Sequence, residues 1–584
     1  MSRKDKKIKG SMMPPKFSKE RTHPTSFEAS RPIDQTKTSP CEAACPAGHD
    51  IQRTIYLLKD NRFEEALENV RAKHPFPGVC GRACFHPCET PCNRQFYDQG
   101  ISIRALERAA FDLADRKKVN GPKGREKTGK KIAIIGSGPA GMTCAYFSAL
   151  FGHEVTIFEA SPFLGGMPRM GIPDHRLPKR VVDEEVGEII KLGIETRTNT
   201  RVGTDIPFQE IRDQYDVCLI ATGAWKEKHL DIPGSEHAIQ ALSFLSQVAK
   251  GETPVMGGKV LVVGGGGVAF DVATTIRRLS DPEIHIACLE PRNKMVATPE
   301  DIEHGEEEGV IIHNSKTFKR IVIEQGQIKG IECMDVGSFQ FDQAGNLQVD
   351  PVPGTDHILP ADTIVFAIGE EPDFGFLQDV GGFEFTERGT LLVEEKTLST
   401  SFEGVFAAGD VTTGPSSVAQ AIGQGRLAAI NMDCYLTGKR MEDIREIYLD
   451  REGHLRIDEY IIDEKREKPQ EVVGYEEILN PEYYEKEEQV KMRRLLPPES
   501  LTSFEEVNKG YSEQEAVKEA NRCFRCGHCA ECGTCAEICP LDVIAMGDEG
   551  PIVAYPKECW HCGGCRINCP CGCISYEFPL SMLL

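Results

Sequence analysis

The chain has 584 residues, and its 68 Lys and Arg against 90 Asp and Glu leave a net charge of -22. That length suggests three or four domains, and the acidic balance argues against nucleic acid, whose phosphates are bound by clustered cations. No run approaches the ~20 apolar residues that cross a bilayer, and the charged start MSRKDKKIKG lacks the apolar stretch of a secretory signal.

The first 39 residues read as a disordered basic arm. Beyond them Ile51, Ile55, Leu58, Phe63, Leu67 and Val70 recur at helical spacing until Pro75 and Pro77 end the run. A second amphipathic run spans Ile103 to Leu113. Six cysteines between Cys41 and Cys92 interleave with these runs, so 40–125 is expected to be a helical iron–sulfur or zinc domain. The polar GPKGREKTGK reads as a linker.

At Lys131 the character changes. IAIIGSGPAG predicts a buried strand, a glycine turn and a helix beginning near Met142, and EVTIFEA supplies the next strand of a βαβ unit. Gly136, Gly138 and Gly141 satisfy G-x-G-x-x-G, and Glu159 closes the second strand where it reaches a ribose 2′-OH. The pattern returns in KVLVVGGGGVAFDVATTI and IHIACLE, with Gly264, Gly266, Ala269 and Glu290 in the same roles. An acid at Glu290 favours NAD over NADP, although Arg292 is placed to accept a 2′-phosphate. Apolar strands ending at Gly369 and Asp410 close the two units. The acidic HGEEEG at 304–309 reads as a solvated helix face, with a cation site as the alternative, and 441–519 as a charged linker or as arms lying on other domains.

The cysteines are the most informative feature. There are 23, six between Cys41 and Cys92 and twelve between Cys523 and Cys573. Intervals of two and three residues are too tight for loop-closing disulfides, which points to metal sites in a cytoplasmic protein. Cys529, Cys532, Cys535 and Cys539-Pro540 form C-x2-C-x2-C-x3-C-P, repeated by Cys559, Cys562, Cys565 and Cys569-Pro570. This is the two-cluster ferredoxin pattern, in which the fourth cysteine of each run serves the other cluster. One [4Fe–4S] centre is therefore expected on Cys529, Cys532, Cys535 and Cys569, the other on Cys539, Cys559, Cys562 and Cys565. Cys523, Cys526, Cys571 and Cys573 have no assignment, as spare thiols or ligands of a further metal. His49, His74, His86, His528 and His561 lie among the cysteines and read as solvent-facing or hydrogen-bonded, not as ligands.

From about Cys41 to Tyr435 the motifs GSGPAGM, FEASPFLGG, MGIP, LIATGA, GGGGVAFD, AIGEEP and GVFAAGD with QAIGQGR resemble the glutamate synthase small subunit and its relatives. These include the N-terminal half of dihydropyrimidine dehydrogenase and the large subunit of NADH-dependent ferredoxin:NADP oxidoreductase. The resemblance implies FAD at the first site, joined by Gly165, Gly166 and Asp410, and a nucleotide domain inserted into the flavin domain. The expected layout is an FAD-binding domain at 130–255 and 370–440, an NAD(P)-binding domain at 256–369 and a ferredoxin-like α+β domain at 520–584. It also implies a pattern for the N-terminal cysteines. Ile33 and Thr36 occupy the places of its first two, whereas Cys45, Cys84, Cys88 and Glu107 complete one [4Fe–4S] set, with Cys92 the alternative to Glu107. A second N-terminal set keeps only Cys41 and Cys92, with Cys80 nearby.

Three clusters are thus expected, a fourth being open. No catalytic acid or base is assigned, because hydride passes directly between nicotinamide and flavin. No cysteine pair lies between Cys92 and Cys523, so electrons leave the flavin through the clusters. The expected function is an NAD(H)-linked flavoprotein subunit of a hetero-oligomer, exchanging electrons with a catalytic partner or ferredoxin. Electron bifurcation and a non-catalytic wiring module are the alternatives.

Overall fold

Apolar residues three and four apart fold the region after Asp50 into four helices: α1 (Ile51–Lys59), α2 (Phe63–Lys73), α3 (Pro77–Ala83) and α4 (Ile103–Leu113). Leu58, Leu67, Val79 and Leu106 form their shared interior. The computed structural model describes residues 31–34, 37–341, 347–378, 380–440, 444–449, 453–459, 472–477, 484–527, 529, 533–547, 550–555, 558–560, 562–569 and 573–577. These divide into two units, Ser39–Val472 with Tyr484–Cys523, and Met1–Thr38 with Val473–Tyr483 and Phe524–Leu584.

In the larger unit, β1 (Lys131–Ile135) leads through a glycine turn into α5 (Pro139–Leu150) and returns as β2 (Glu154–Phe158). The helix starts at Pro139, three residues before the expected point, because proline in the first turn needs no N–H and is already set for helix. After α6 (Lys179–Ile190), β3 (Glu195–Arg197) and β4 (Val217–Ile220) extend the sheet. The chain then enters an inserted sheet made of β5 (Ile239–Gln240), β6 (Lys259–Val263), β7 (Glu283–Ala287), β8 (Ile311–His313) and β9 (Thr363–Phe366). Its helices are α7 (Gly267–Leu279) and α8 (Pro299–Glu307). The first sheet closes with β10 (Val405–Ala407), followed by α9 (Val418–Thr437).

Both sheets are parallel. The first runs β10-β4-β1-β2-β3 and the inserted one β8-β7-β6-β9-β5. Each has its glycine turn at the carboxyl end of a central strand beside the reversal of strand order, where open α/β sheets bind ligands. An antiparallel sheet of Lys316–Glu324, Gln327–Phe341, Leu347–Pro351 and His357–Pro360 shares a core with β6 and β9.

Helix α9 joins three parts of this unit. A Cβ on Gly425 would collide with the Ala140 carbonyl at the start of α5, and one on Gly423 with the Pro46 carbonyl beside Cys45. Both backbones therefore approach α9 at a distance only glycine allows. One continuous core contains Leu58, Phe147, Ile422 and Ala520.

Part of the segment expected as a charged linker is ordered against this core. Ile444–Leu449 and Leu455–Glu459 pair as a hairpin, and α10 (Glu513–Asn521), capped by Ser512 and Glu515, buries Ala516 and Ala520. The acidic 304–309 stretch is likewise not fully solvated. Glu308 is buried, takes two hydrogen bonds from Arg278 at 2.7 and 2.6 Å and accepts one from Ser500 at 3.0 Å. Burial alone would raise its carboxyl, but hydrogen bonds from His304 and Arg278 bring it down to about 2. The arginine makes burial of this acid tolerable.

In the smaller unit Arg31–Asp34 pairs antiparallel with Ile574–Glu577, so the expected basic arm ends in a strand, while its residues 1–30 lie outside the described residues. Two short helices, Thr534–Glu537 and Gly564–Ile567, each follow a left-handed glycine, and Ile544–Gly547 pairs with Gly550–Val553. Each helix sits inside one cysteine run, so the sequence repeat is also a repeat of backbone form.

Glu185 of α6 docks the helical region onto the flavin domain by accepting from the N–H groups of Gly78 (2.5 Å) and Val79 (3.0 Å). Burial pushes its carboxyl up to about 8, against the smaller opposing pull of those N–H groups. Between the ordinary carboxylate range and about 8 the folded protein binds a proton that the unfolded chain releases, so its stability falls as pH rises. Glu185→Gln is expected to remove this pH dependence, and Glu185→Ala to cost about 1–3 kcal/mol by orphaning two buried donors. Denaturant unfolding from pH 5 to 9 checks both.

Candidate functional site

A cavity of about 800 Å³ opens over the β1 glycine turn, within the range of cofactor sites. Gly136, Gly138, Glu159, Gly166 and Asp410 line it, and Ser246 and Lys250 of the inserted domain reach it from the other side. A Cβ on Gly138 would meet no protein atom within 4 Å. Packing therefore does not demand glycine there, whereas the close approach of a pyrophosphate to the first turn of α5 does. The hydroxyl of Thr222, also in the lining, is buried without a partner among the described residues. Such a cradle fits a dinucleotide.

The surrounding residues are held in place. Glu159 accepts from Ser137 N (3.0 Å), Ser137 Oγ (2.6 Å) and Ser161 N (2.7 Å), which fixes its carboxylate at the end of β2. Asp410 accepts from Ser416 N and Oγ at 3.1 and 2.8 Å, while burial raises its carboxyl. Gly166 approaches Gly138 so closely that a Cβ would lie 2.6 Å from its Cα. Gly141 packs α5 on the turn, and Gly165 donates to the Ser137 carbonyl at 3.1 Å from behind it.

The second turn, Gly264 to Gly266 before α7, has the same form. Gly266 also leaves open space where a Cβ would stand, and Ala269 is fully buried where α7 packs. The Glu290 carboxylate lies over Gly265, and Asn314 Nδ2 donates to the Glu290 carbonyl at 3.1 Å. Arg292 is half-exposed and paired with Glu306 at 2.5 Å.

In the helical region Cys45, Cys84 and Cys88 gather around Glu107. Burial raises all three thiols, Cys84 to about 12, and Glu107 is among the neighbouring charges that add to each. Cys80, expected beside the other set, joins this one, with Glu107, Cys84 and Cys45 as neighbours. His74 Nε2 and His49 Nδ1 approach the Glu107 carboxylate at 3.3 and 3.8 Å. Both histidines are buried and hydrogen-bonded, His49 to Thr54 Oγ1 at 2.8 Å and His74 Nδ1 accepting from Phe76 N at 3.4 Å, so of the two expected readings the hydrogen-bonded one holds, and half-buried His86 hydrogen-bonds within its own turn. Glu107 Oε1 is buried and makes no hydrogen bond, its near neighbour being His74 Nε2, and the carboxylate with the three neighbouring thiols has the donor chemistry that suits an iron–sulfur cluster. Cys92 neighbours Cys41.

In the smaller unit Cys539, Cys559, Cys562 and Cys565 line one cavity with Val543, Ile544 and Trp560, bringing together one expected ligand set. Of the other set, Cys535 and Cys569 are buried together with Cys529 against them. Cys573 lies 3.5 Å from Cys569, sulfur to sulfur. Cys532, Cys571, His528 and His561 lie outside the described residues.

The profile of the pyridine nucleotide-disulphide oxidoreductases matches residues 130–425, half of the chain. The chain belongs to this family. A second profile, dihydropyrimidine dehydrogenase domain II with its 4Fe-4S cluster, matches residues 14–119. Among relatives, the NADP(+)-dependent formate dehydrogenase subunit beta of Moorella thermoacetica is 36% identical over 84% of this chain and 70% of its own. The NADPH-Fe(3+) oxidoreductase subunit beta of Geobacter sulfurreducens is 31% identical, covering 84% and 75%. The glutamate synthase [NADPH] small chain of Mycobacterium tuberculosis is 31% identical, covering 68% and 86%.

Among the described residues no dithiol lies at the cavity over the β1 glycine turn. None of the lining residues is a cysteine, and the buried Cys144 packs instead against Met432 (3.8 Å). Sequence reasoning named Thr222 only as part of LIATGA, without a role, and missed Trp225 and Lys250, which belong to none of the quoted motifs. Gly138→Ala is expected to abolish flavin retention, and Gly266→Ala to raise the KM for pyridine nucleotide at least tenfold with flavin retained. Neither should change the folding stability of the flavin-free chain by more than about 0.5 kcal/mol. Flavin absorbance per chain, steady-state kinetics and thermal melts test this pair.

Proposed function

We propose that the chain is the NAD(H)-linked electron-transfer subunit of a larger oxidoreductase. The observation that carries this reading is the pairing of two open glycine cradles, at Gly138 and Gly266, with cysteine arrays in place of a dithiol. FAD, when bound, takes a hydride as a pair and releases its electrons singly. The role of the chain is placement. The turn before α5 binds one pyrophosphate, and Glu159 and Asp410 fix the ribose and chain of the flavin. The turn before α7 binds the second dinucleotide, and no side chain needs to move a proton. Cys45, Cys84, Cys88 and Glu107 would hold one cluster near α9, and the two ferredoxin sets would hold two more.

The substrate chemistry belongs to another subunit, since the relatives named above are beta subunits or small chains of formate, iron or glutamate enzymes. Those names carry NADP(H). In this chain Glu290 stands at the ribose end of the second cradle and Arg292 is engaged by Glu306, an arrangement that favours an unphosphorylated 2′-OH. Among the described residues no helix is long and apolar enough to cross a membrane.

The purified holoprotein is expected to reduce a dye with NADH, with kcat/KM at least tenfold above that for NADPH. Glu290→Ser should narrow that ratio. No dye reduction at full FAD occupancy would overturn the enzyme reading, and a preference for NADPH would overturn the choice of nucleotide.

A further inference from the structure

Cys41, Cys92 and Cys523 are separated by up to 482 positions in the sequence, yet the fold gathers them inside the larger unit. Cys41 and Cys523 are each 6% exposed, and Cys523 and Cys92 both neighbour Cys41. The Gln52 side chain lies between two of them, its Nε2 3.7 Å from Cys41 Sγ and its Oε1 3.9 Å from Cys523 Sγ. Ser39 Oγ lies 3.1 Å from the same Cys41 sulfur.

Cys523 is held there by its neighbour in the chain. Arg522, 3% exposed, donates to the carbonyls of Gln99 (2.6 Å) and Gly100 (3.3 Å), and its own carbonyl accepts from Arg94 at 2.8 Å. Arg94 follows Cys92 by two residues and is itself 1% exposed. Two buried arginines thus tie the end of α10 to the turn after Cys92. Holding two cations in the interior is costly unless each is paired, and the carboxylates of Asp98 and Glu519 supply the opposite charges, so this clamp is a built feature of the fold.

We propose that Cys41, Cys92 and Cys523 ligate three of the four irons of a further [4Fe–4S] cluster, distinct from the one assigned to Cys45, Cys84, Cys88 and Glu107. Cys523 thereby replaces a ligand that the N-terminal segment lacks. On ligation each thiol gives up its proton as its sulfur bonds to iron, and the Gln52 amide N–H is placed to donate to the cluster edge. In sequence, Cys523 opens a C-x2-C pair with Cys526, the spacing absent at Ile33 and Thr36. The cluster rests on the reading of the N-terminal array as an electron path, but its presence is measured without turnover.

Anaerobically reconstituted full-length protein is expected to hold about sixteen irons and as many sulfides per chain, four clusters of four. Cys523→Ser and Cys41→Ser should each hold about twelve, the double variant no fewer, and each should lose the same reduced-cluster resonance in electron paramagnetic spectra while retaining FAD. About twelve irons in the unaltered protein, or an iron content unchanged by Cys523→Ser, would overturn the proposal. The count on unaltered protein decides even where a variant fails to accumulate. Failure of NADH to reduce a dye would leave that count untouched, so the two readings fail separately.

Discussion

Helix α9 lies against two backbone carbonyls, Pro46 and Ala140, that no side chain would let it approach. Ala140 opens the helix proposed to receive the flavin pyrophosphate, and Pro46 follows Cys45 in the chain. The separation between a flavin held in the cavity and iron held on Cys45 would therefore depend on the van der Waals thickness of a glycine at 423 and another at 425. The same helix carries Gln424, which accepts from Gly409 N at 2.6 Å beside Asp410. Three consecutive residues of α9 thus adjust the start of the flavin helix, the flavin-facing turn and the cluster loop together. Core packing fills space to crystal-like density, so displacement of any one of the three is felt by the others.

The parts of this arrangement legible in the sequence are those set by local rules. A buried strand, a glycine turn and an amphipathic helix announce themselves within about thirty residues, which is why Gly138, Gly266 and the ends of α4 lie where periodicity puts them. The ferredoxin repeats were equally local. What was hidden depends on pairing across the chain. Glu308 looks like one more acid in a charged helix until Arg278 and Ser500 are folded against it. Cys523 looks spare until α10 lands on α1, and Glu107 is marked only by the family pattern until His49 and His74 close on it. Composition reads a charged stretch as solvent-facing because most are, and only the partner reveals the exception.

Two buried histidines stand beside Glu107, and burial pushes His49 down to about 4, so that ring stays neutral beside the carboxylate. In the proposed cluster set the carboxylate would stand where sulfur usually does. Added negative charge at a cluster opposes reduction, one of the levers by which a protein sets a potential.

Ion pairs tie the inserted domain to its neighbours. Arg176 bonds Asp271 and Asp301 at 3.0 and 3.6 Å, Arg104 bonds Glu300 at 2.7 Å, and Arg494 bonds Glu307 at 2.5 Å. These cations come from the first-sheet domain, the helical region and the segment before α10. Three of the four acids, Glu300, Asp301 and Glu307, sit on α8, so the moorings meet the inserted domain mostly along one helix. Half-exposed pairs of this kind hold weakly and are screened by salt. The inserted domain is therefore fastened along a single edge, and ionic strength is the condition that loosens that edge first.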